Sequence, residues 1–313
     1  MKVGIFVPME PAARSPAQHY SDVIETIVAA DELGYSSVWL ASRHLSSLYA
    51  AIPSPLVLLS AAASRTSRIA LGTSVVTVPI ENPLRLAEDF ATLDAISGGR
   101  GRLGVGSGDD QPAFQAFGID FDERAASFSK TLPHLLGLMS GEKIAGLEIY
   151  PAIENSPSKT ALAAQSERGA RYAGSLGIGL LQGRTEPGRP DPTESQAAAA
   201  AAYRDEFSDG WIVTARNAWI GSPSDPLLHE GLERHRTYVK SRGRDELPSD
   251  SEEACKVLNI AFGSPDELAD SVMKSLEPIA TDEVAITVDP GGLPAPEVIE
   301  RISKLAQSFG LKP

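Results

Sequence analysis

Three short stretches carry side chains whose types and spacing could do chemistry. The first, Gly104-Val-Gly-Ser-Gly-Asp-Asp110, sets glycines at alternate positions, Gly104, Gly106 and Gly108, with Ser107 between two of them. Backbone bare of side chains lets a planar or bulky ligand approach closely, and tight packing alone would account for the same glycines. The third glycine falls one place short of the dinucleotide fingerprint, so no nicotinamide site is read from the run. The second stretch, Gln165-Ser166-Glu167-Arg168-Gly169, follows an apolar run and opens a helical one. Ser166 is a good helix cap. The free N–H groups of a first turn, a hydroxyl and the Arg168 guanidinium also make an anion site there. The third is Arg43-His44, just past the apolar run Ser37–Leu40. A histidine titrating near neutrality suits proton transfer, although a loop histidine on the surface has the same sequence signature.

The remaining histidines (His19, His134, His229 and His235) lack metal-ligand spacing, and neither a nucleophile elbow nor a phosphate-binding Walker loop is present. Cys255 is the single cysteine and sits in a charged, late segment, which fits a reducing compartment and does not resemble a nucleophile's setting.

Positioning such groups requires a scaffold. Eight apolar segments rich in β-branched or small residues can be counted: Val3–Val7, Ser37–Leu40, Ile69–Val78, Arg102–Gly106, Thr160–Ala164, Ile178–Gln182, Trp211–Thr214 and Val284–Val288. Most lack polar alternation, as parallel strands covered on one face and filled on the other should. Helical spacing marks Tyr20–Leu33, Leu84–Ile96, Ala125–Met139 (where Pro133 predicts a kink or early break), Glu194–Phe207, Pro226–Arg242, Pro265–Leu276 and Pro296–Phe309. Alternating strands and helices give a barrel or an open doubly wound sheet, and eight strands with a helix after the eighth favour a (β/α)8 barrel. The chain thus reads as a single α/β domain over 1–313, with loop-like stretches Gly141–Lys159 and Gly183–Pro192 as candidates for a lid over its catalytic rim.

The formal net charge of −13 argues against nucleic acid or an anionic membrane as partner, because phosphate backbones and acidic lipids repel such a surface. No stretch approaches the roughly 20 apolar residues of a membrane span, and the N-terminal run reads as a strand rather than a secretory leader. A cytoplasmic protein is expected.

Several motifs together carry a family likeness. Ser37-Ser-Val-Trp-Leu40 is followed by His44, and Arg68-Ile-Ala-Leu-Gly-Thr-Ser-Val-Val-Thr-Val-Pro79 by Asn82-Pro-Leu-Arg-Leu-Ala-Glu88. Leu93-Asp-Ala-Ile-Ser-Gly-Gly-Arg100 then leads into Gly104–Gly108, with Phe117-Gly118, Ser166–Gly169, Gly177–Leu181 and Gly263-Ser-Pro265 further on. The chain resembles the bacterial luciferase-like flavin monooxygenases along nearly its whole length. The resemblance implies a barrel whose C-terminal mouth holds a flavin. Ser74 and Val75 would form a bulge in the third strand, often a cis peptide in the family, that supports the isoalloxazine ring. Gly106 and Ser107 would lie beside the flavin, Gln165, Ser166, Arg168 and Gly169 at its phosphate, and His44 at its reactive edge. Where family members often carry Glu-His-His, this chain has Ser42-Arg43-His44, and where they often carry an arginine in the glycine run it has Ser107, so Arg168 or Arg184 would take that arginine's place.

The implied chemistry is oxidation of a small organic substrate by reduced FMN and oxygen, with His44 and Arg43 as catalytic groups, a separate flavin reductase as partner and a homodimer as assembly. Two alternatives stay open: hydride transfer with the deazaflavin coenzyme, and flavin binding without catalysis.

Overall fold

The computed structural model describes residues 1–8, 14–47, 50–184, 191–243, 247–288 and 292–312. Ten strands form one all-parallel sheet: β1 Lys2–Val7, β2 Ser37–Leu40, β3 Ala70–Thr73, β4 Val76–Thr77, β5 Gly101–Gly106, β6 Thr160–Ala163, β7 Gly179–Gln182, β8 Ile212–Ile220, β9 Ile260–Gly263 and β10 Glu283–Thr287. The ladder runs β1-β2-β3-β5-β6-β7-β8, and β10 closes it by pairing with both β8 and β1. The result is a closed eight-stranded β/α barrel, as the segment pattern predicts.

The segment read as one strand, Ile69–Val78, is two. Gly72 stands opposite Arg102 and Val76 opposite Val105, so four residues on one side face three on the other. That extra residue is a bulge. The Thr73 hydroxyl bridges the gap, donating to the Gly104 carbonyl and accepting from the Gly104 amide, both at 2.9 Å. The bulge residues Ser74 and Val75, joined by a cis peptide, are turned out of the ladder toward the barrel mouth.

β8 also outruns its expected end, Thr214, because its last residues Asn217–Ile220 pair with β9, a strand the sequence reading missed. Short helices Pro55–Ala63 and Ser251–Val257 were missed too. Pro133 does not stop its helix, which runs from Arg124 to Met139. The stretch Gly141–Lys159 is not at the catalytic rim. It follows a helix and precedes a strand, so it returns the chain to the opposite, N-terminal face, where Lys159 pairs with Asp94 at 2.5 Å. Of the other proposed lid, residues 185–190 lie outside the described part.

Two apolar layers hold the barrel. Outward-facing residues such as Val3, Ile5 and Val7 join the helices in one large core. Inside, Trp39, Ala161, Leu181, Val213 and Ala285 pack with Phe6, Val75 and Trp211. Trp39 lies where a side chain at Gly72 would be, and Trp211 where one at Gly179 would be, so those glycines are required by the plug. The Trp39 indole N–H donates to Glu283 at 3.1 Å, and the Ser37 hydroxyl donates to the same carboxylate, so the buried indole N–H of Trp39 is satisfied. Helices start where short polar side chains take the first amides: Ser15, Asn82, Ser166, Asp225, and Ser264 with Glu267 as a reciprocal capping box.

Candidate active site at the barrel mouth

Above the plug, at the C-terminal ends of the strands, lies a cavity of about 440 Å³. That is the size range of small-molecule and cofactor sites, and this end of a β/α barrel is where such sites are built. Its walls come from the bulge (Ser74, Val75, Thr77), the glycine run (Gly106 to Asp109), the end of β6 and beyond (Ala163, Ala164, Gln165) and the end of β7 (Leu181 to Arg184). Phe6, Ala41, Ser42, Arg43 and Ala215 complete it.

The three glycines of the run have different reasons to exist. A side chain at Gly104 would run into the Thr73 carbonyl, so this one is demanded by strand packing. Gly108 has φ +82° and its missing side chain leaves room for Thr77 and Phe114, again a packing role. Gly106 borders the cavity, as Gly108 also does, and a Cβ at Gly106 would come within 2.8 Å of Val75 Cγ2 at the cavity wall. The Val75 methyl group takes up the space a side chain at Gly106 would need, so a side chain there would displace Val75 at the cavity wall.

Arg43 lines the cavity and its guanidinium meets Asp109 at 2.5 Å. The carboxylate is 61% exposed, so the pair orients Arg43 more than it stabilises the fold. Arg184 lies flat over the Phe6 ring, 4.5 Å from its centroid, and donates to Asn217 at 3.0 Å. These contacts hold a second cation at the rim. His44 is not part of the cavity lining. Its ring stands edge-on to Phe117, 5.0 Å between centroids, and burial lowers its pKa below the ordinary 6.5 against an opposing pull from Asp110.

At the second motif, Ser166 caps helix Glu167–Ser175, its hydroxyl accepting from the Gly169 amide at 3.2 Å. Gln165, just before the cap, lines the cavity, which puts the helix N-terminus at its edge. Arg168 is exposed, stands outside the lining and makes no ion pair among the described residues. The structure therefore gathers Arg43, Ser74, Val75, Gly106, Ser107 and Gln165 around one space. Ser166 and Gly169 stand at its margin, and His44 and Arg168 lie beyond it.

Phe6 and Ala215 were not singled out from the sequence. They point into the barrel from strands apolar on both faces, so no alternation marks which side is inward. Among the described residues no group of three His, Cys, Asp or Glu side chains could hold a metal ion, and no helix is long and apolar enough to cross a membrane.

Comparison with known proteins bears on this site. Residues 1–190 match the family model described as luciferase-like monooxygenase. An F420-dependent glucose-6-phosphate dehydrogenase from Kineococcus radiotolerans is 30% identical, the alignment covering 77% of this chain and 81% of the relative. Of three relatives named as monooxygenases the chain spans about half the length or less (54%, 43% and 39%). Among solved structures, monooxygenase RslO1 from Streptomyces bottropensis superposes with a TM-score of 0.84 at 24% identity, covering 99% of this chain and 98% of that one. The oxygenating constituent of 3,6-diketocamphane monooxygenase from Pseudomonas putida, in complex with FMN, superposes with a TM-score of 0.71 at 18% identity over 99% and 98%. At these identities the two superpositions establish the fold.

Proposed function

The chain belongs to the luciferase-like monooxygenase family, and from that premise we propose that it is an FMN-dependent monooxygenase whose flavin ring sits in the mouth cavity. The observation that carries this reading is the mouth cavity of about 440 Å³, bordered by the bare backbone of Gly106 and by Ser107, Ser74 and Val75. The residues present fit the group. Gly106, Ser107, Ser74 and Val75 would flank the ring. The Ser166 hydroxyl, the first-turn amides and Gly169 would hold the phosphate, with Gln165 between ring and phosphate and Arg168 near enough in sequence to add charge. Reduced flavin, when bound, supplies the electrons with which one oxygen atom enters substrate and the other leaves as water.

What this chain's own groups would do follows from their placement. Phe6, Leu181 and Ala215 form an apolar wall that keeps water from the reacting centre. Arg43, aimed by Asp109, would stabilise negative charge developing above the ring. His44 stands next in the chain. Burial lowers its pKa and so favours the neutral ring, and its role would be to accept a proton or share a hydrogen bond. Reduced FMN would come from a separate reductase.

A second reading, hydride transfer with the deazaflavin coenzyme, is favoured by the relative from Kineococcus radiotolerans. Charge supports FMN over it. The charged groups among the described lining residues are Arg43, Arg184 and Asp109. A tail of several carboxylates calls for a larger surplus of cations, in a chain whose net charge is −13. Titrating the protein with FMN and with the deazaflavin coenzyme, followed by oxygen uptake with enzymatically reduced FMN and candidate substrates, tests the proposal. Tighter FMN binding and substrate-dependent oxygen uptake are expected. The reverse order of affinity supports hydride transfer, and binding of neither overturns both readings.

A further inference from the structure

Arg242 caps the C-terminal end of helix Pro226–Ser241, far from the glycine run and the Arg43 loop in sequence. Its guanidinium is buried at the point where those segments meet, with the side chain 8% exposed. One nitrogen donates to Asp110 Oδ1 at 3.0 Å, and the other to the backbone carbonyls of His44 at 3.3 Å and Leu45 at 3.0 Å. The Asp110 side chain is only 10% exposed. One planar fork thus ties three segments, and the geometry needs Arg rather than Lys, because only the guanidinium can direct parallel N–H groups at a carboxylate and at two carbonyls together.

The residues beside these contacts are the ones at the mouth. Asp110 follows Asp109, which holds Arg43, and the carbonyls it shares belong to the two residues after Arg43. Leu45 has φ +51°, a left-handed conformation uncommon for a side-chain-bearing residue, at the point where the fork grips the loop. We propose that Arg242 is a positioning residue for the catalytic mouth: through Asp110 and the His44–Leu45 carbonyls it fixes the Ser42–Leu45 loop, and with it the place of Arg43 at the cavity. Arg242 touches neither the cavity lining nor, on the reading above, the flavin.

Arg242→Lys keeps the charge beside Asp110 and removes the fork. Hydrogen exchange of the protein without added flavin should then show the Arg43–Leu45 amides exchanging about tenfold faster or more, with the barrel strands unchanged. Turnover with reduced FMN should fall by about 10²-fold at unchanged FMN affinity, the scale of a misplaced catalytic group. In an Arg43→Ala background the Lys substitution should cost no further turnover. Asp110→Asn, which removes the charged arm of the fork and leaves the carbonyl contacts, should speed exchange at Arg43–Leu45 in the same direction but by less than Arg242→Lys. Wild-type exchange in Arg43–Leu45, acceleration spread evenly over all strands, or multiplicative losses in the double variant would each overturn the assignment. The inference rests on the proposed function only for its turnover measurements. If the wild type shows no turnover at all, the functional reading fails and the exchange pattern still decides the role of Arg242.

Discussion

Replacing Gly106 by Ala puts the proposed ring site under a defined stress. The added Cβ would stand 2.8 Å from Val75 Cγ2. Carbon atoms in ordinary contact lie about 3.5–4.0 Å apart, so Val75 must retreat by about 0.7 Å or more. Val75 is β-branched, with a stiff χ1, and packs into the barrel interior beside Trp39 and Leu181, so its easiest path is into the cavity. Forcing a methyl into such packing costs about 1–3 kcal/mol. If the cost falls on the bound state, FMN affinity drops by about 5- to 150-fold while the melting temperature changes little. Gly106→Val, with two more carbons, should abolish binding. Gly104→Ala is the contrast: its Cβ would meet the Thr73 carbonyl, which is backbone and cannot swing aside, so that variant should lose stability first. The assay is fluorescence titration of FMN paired with thermal unfolding of each variant. Gly106→Ala binding FMN as tightly as wild type would refute the placement of the ring against this glycine.

Other expectations concern charge and protons. If Arg168 contributes to the phosphate site, Arg168→Ala should weaken FMN by about one to two decades, a charge-assisted contact being worth about 1.5–3 kcal/mol; its exposed position makes unchanged affinity, read by the same titration, the outcome that would leave the phosphate to Ser166 and the first-turn amides. If His44 works as a neutral group, the pH–rate profile should rise through an inflection below 6.5 and level off above it, since burial lowers its pKa. His44→Ala should abolish that inflection and lower turnover by about 10²–10⁴-fold. Profiles of mutant and wild type that coincide would remove His44 from the reaction. His19 is 1% exposed, and burial, reinforced by Arg14, lowers its pKa to about 4. Between pH 6.5 and 4 the unfolded chain therefore takes up a proton that the folded one refuses. Its contribution is fully present above 6.5 and is lost as pH falls toward 4, by up to about 3 kcal/mol. Urea unfolding at pH 7 and pH 5 should show this loss in wild type and a smaller one in His19→Phe.

The barrel was legible because its eight strands are dense in β-branched and small apolar residues and its helices repeat on one face. Where the sequence misled, a non-local partner decided. Thr73 does not look different from its neighbours in Ile69–Val78, yet its hydroxyl stands in for ladder bonds and lets the bulge form. β9 is half-buried and short, and it exists because β8 runs on past the barrel to pair with it. Ser166 was legible as a cap from its place before a helical stretch. The glycine run was legible as a close approach of something, although of its three glycines Gly104 serves strand packing and only Gly106 and Gly108 border the cavity. The turn of the Arg43-His44 loop was not legible. Phe117, Asp109 and Arg242 set which of the two side chains faces inward, and their convergence is a property of the closed barrel.

On the proposed function the mouth cavity takes the flavin ring. The most direct test is a crystal structure of the protein with FMN bound, determined under conditions that retain the cofactor. The isoalloxazine is expected against Gly106 and Val75, with the phosphate at the Ser166–Gly169 turn. Well-ordered FMN with its ring outside this cavity, or with its phosphate directed away from that turn, would contradict this placement.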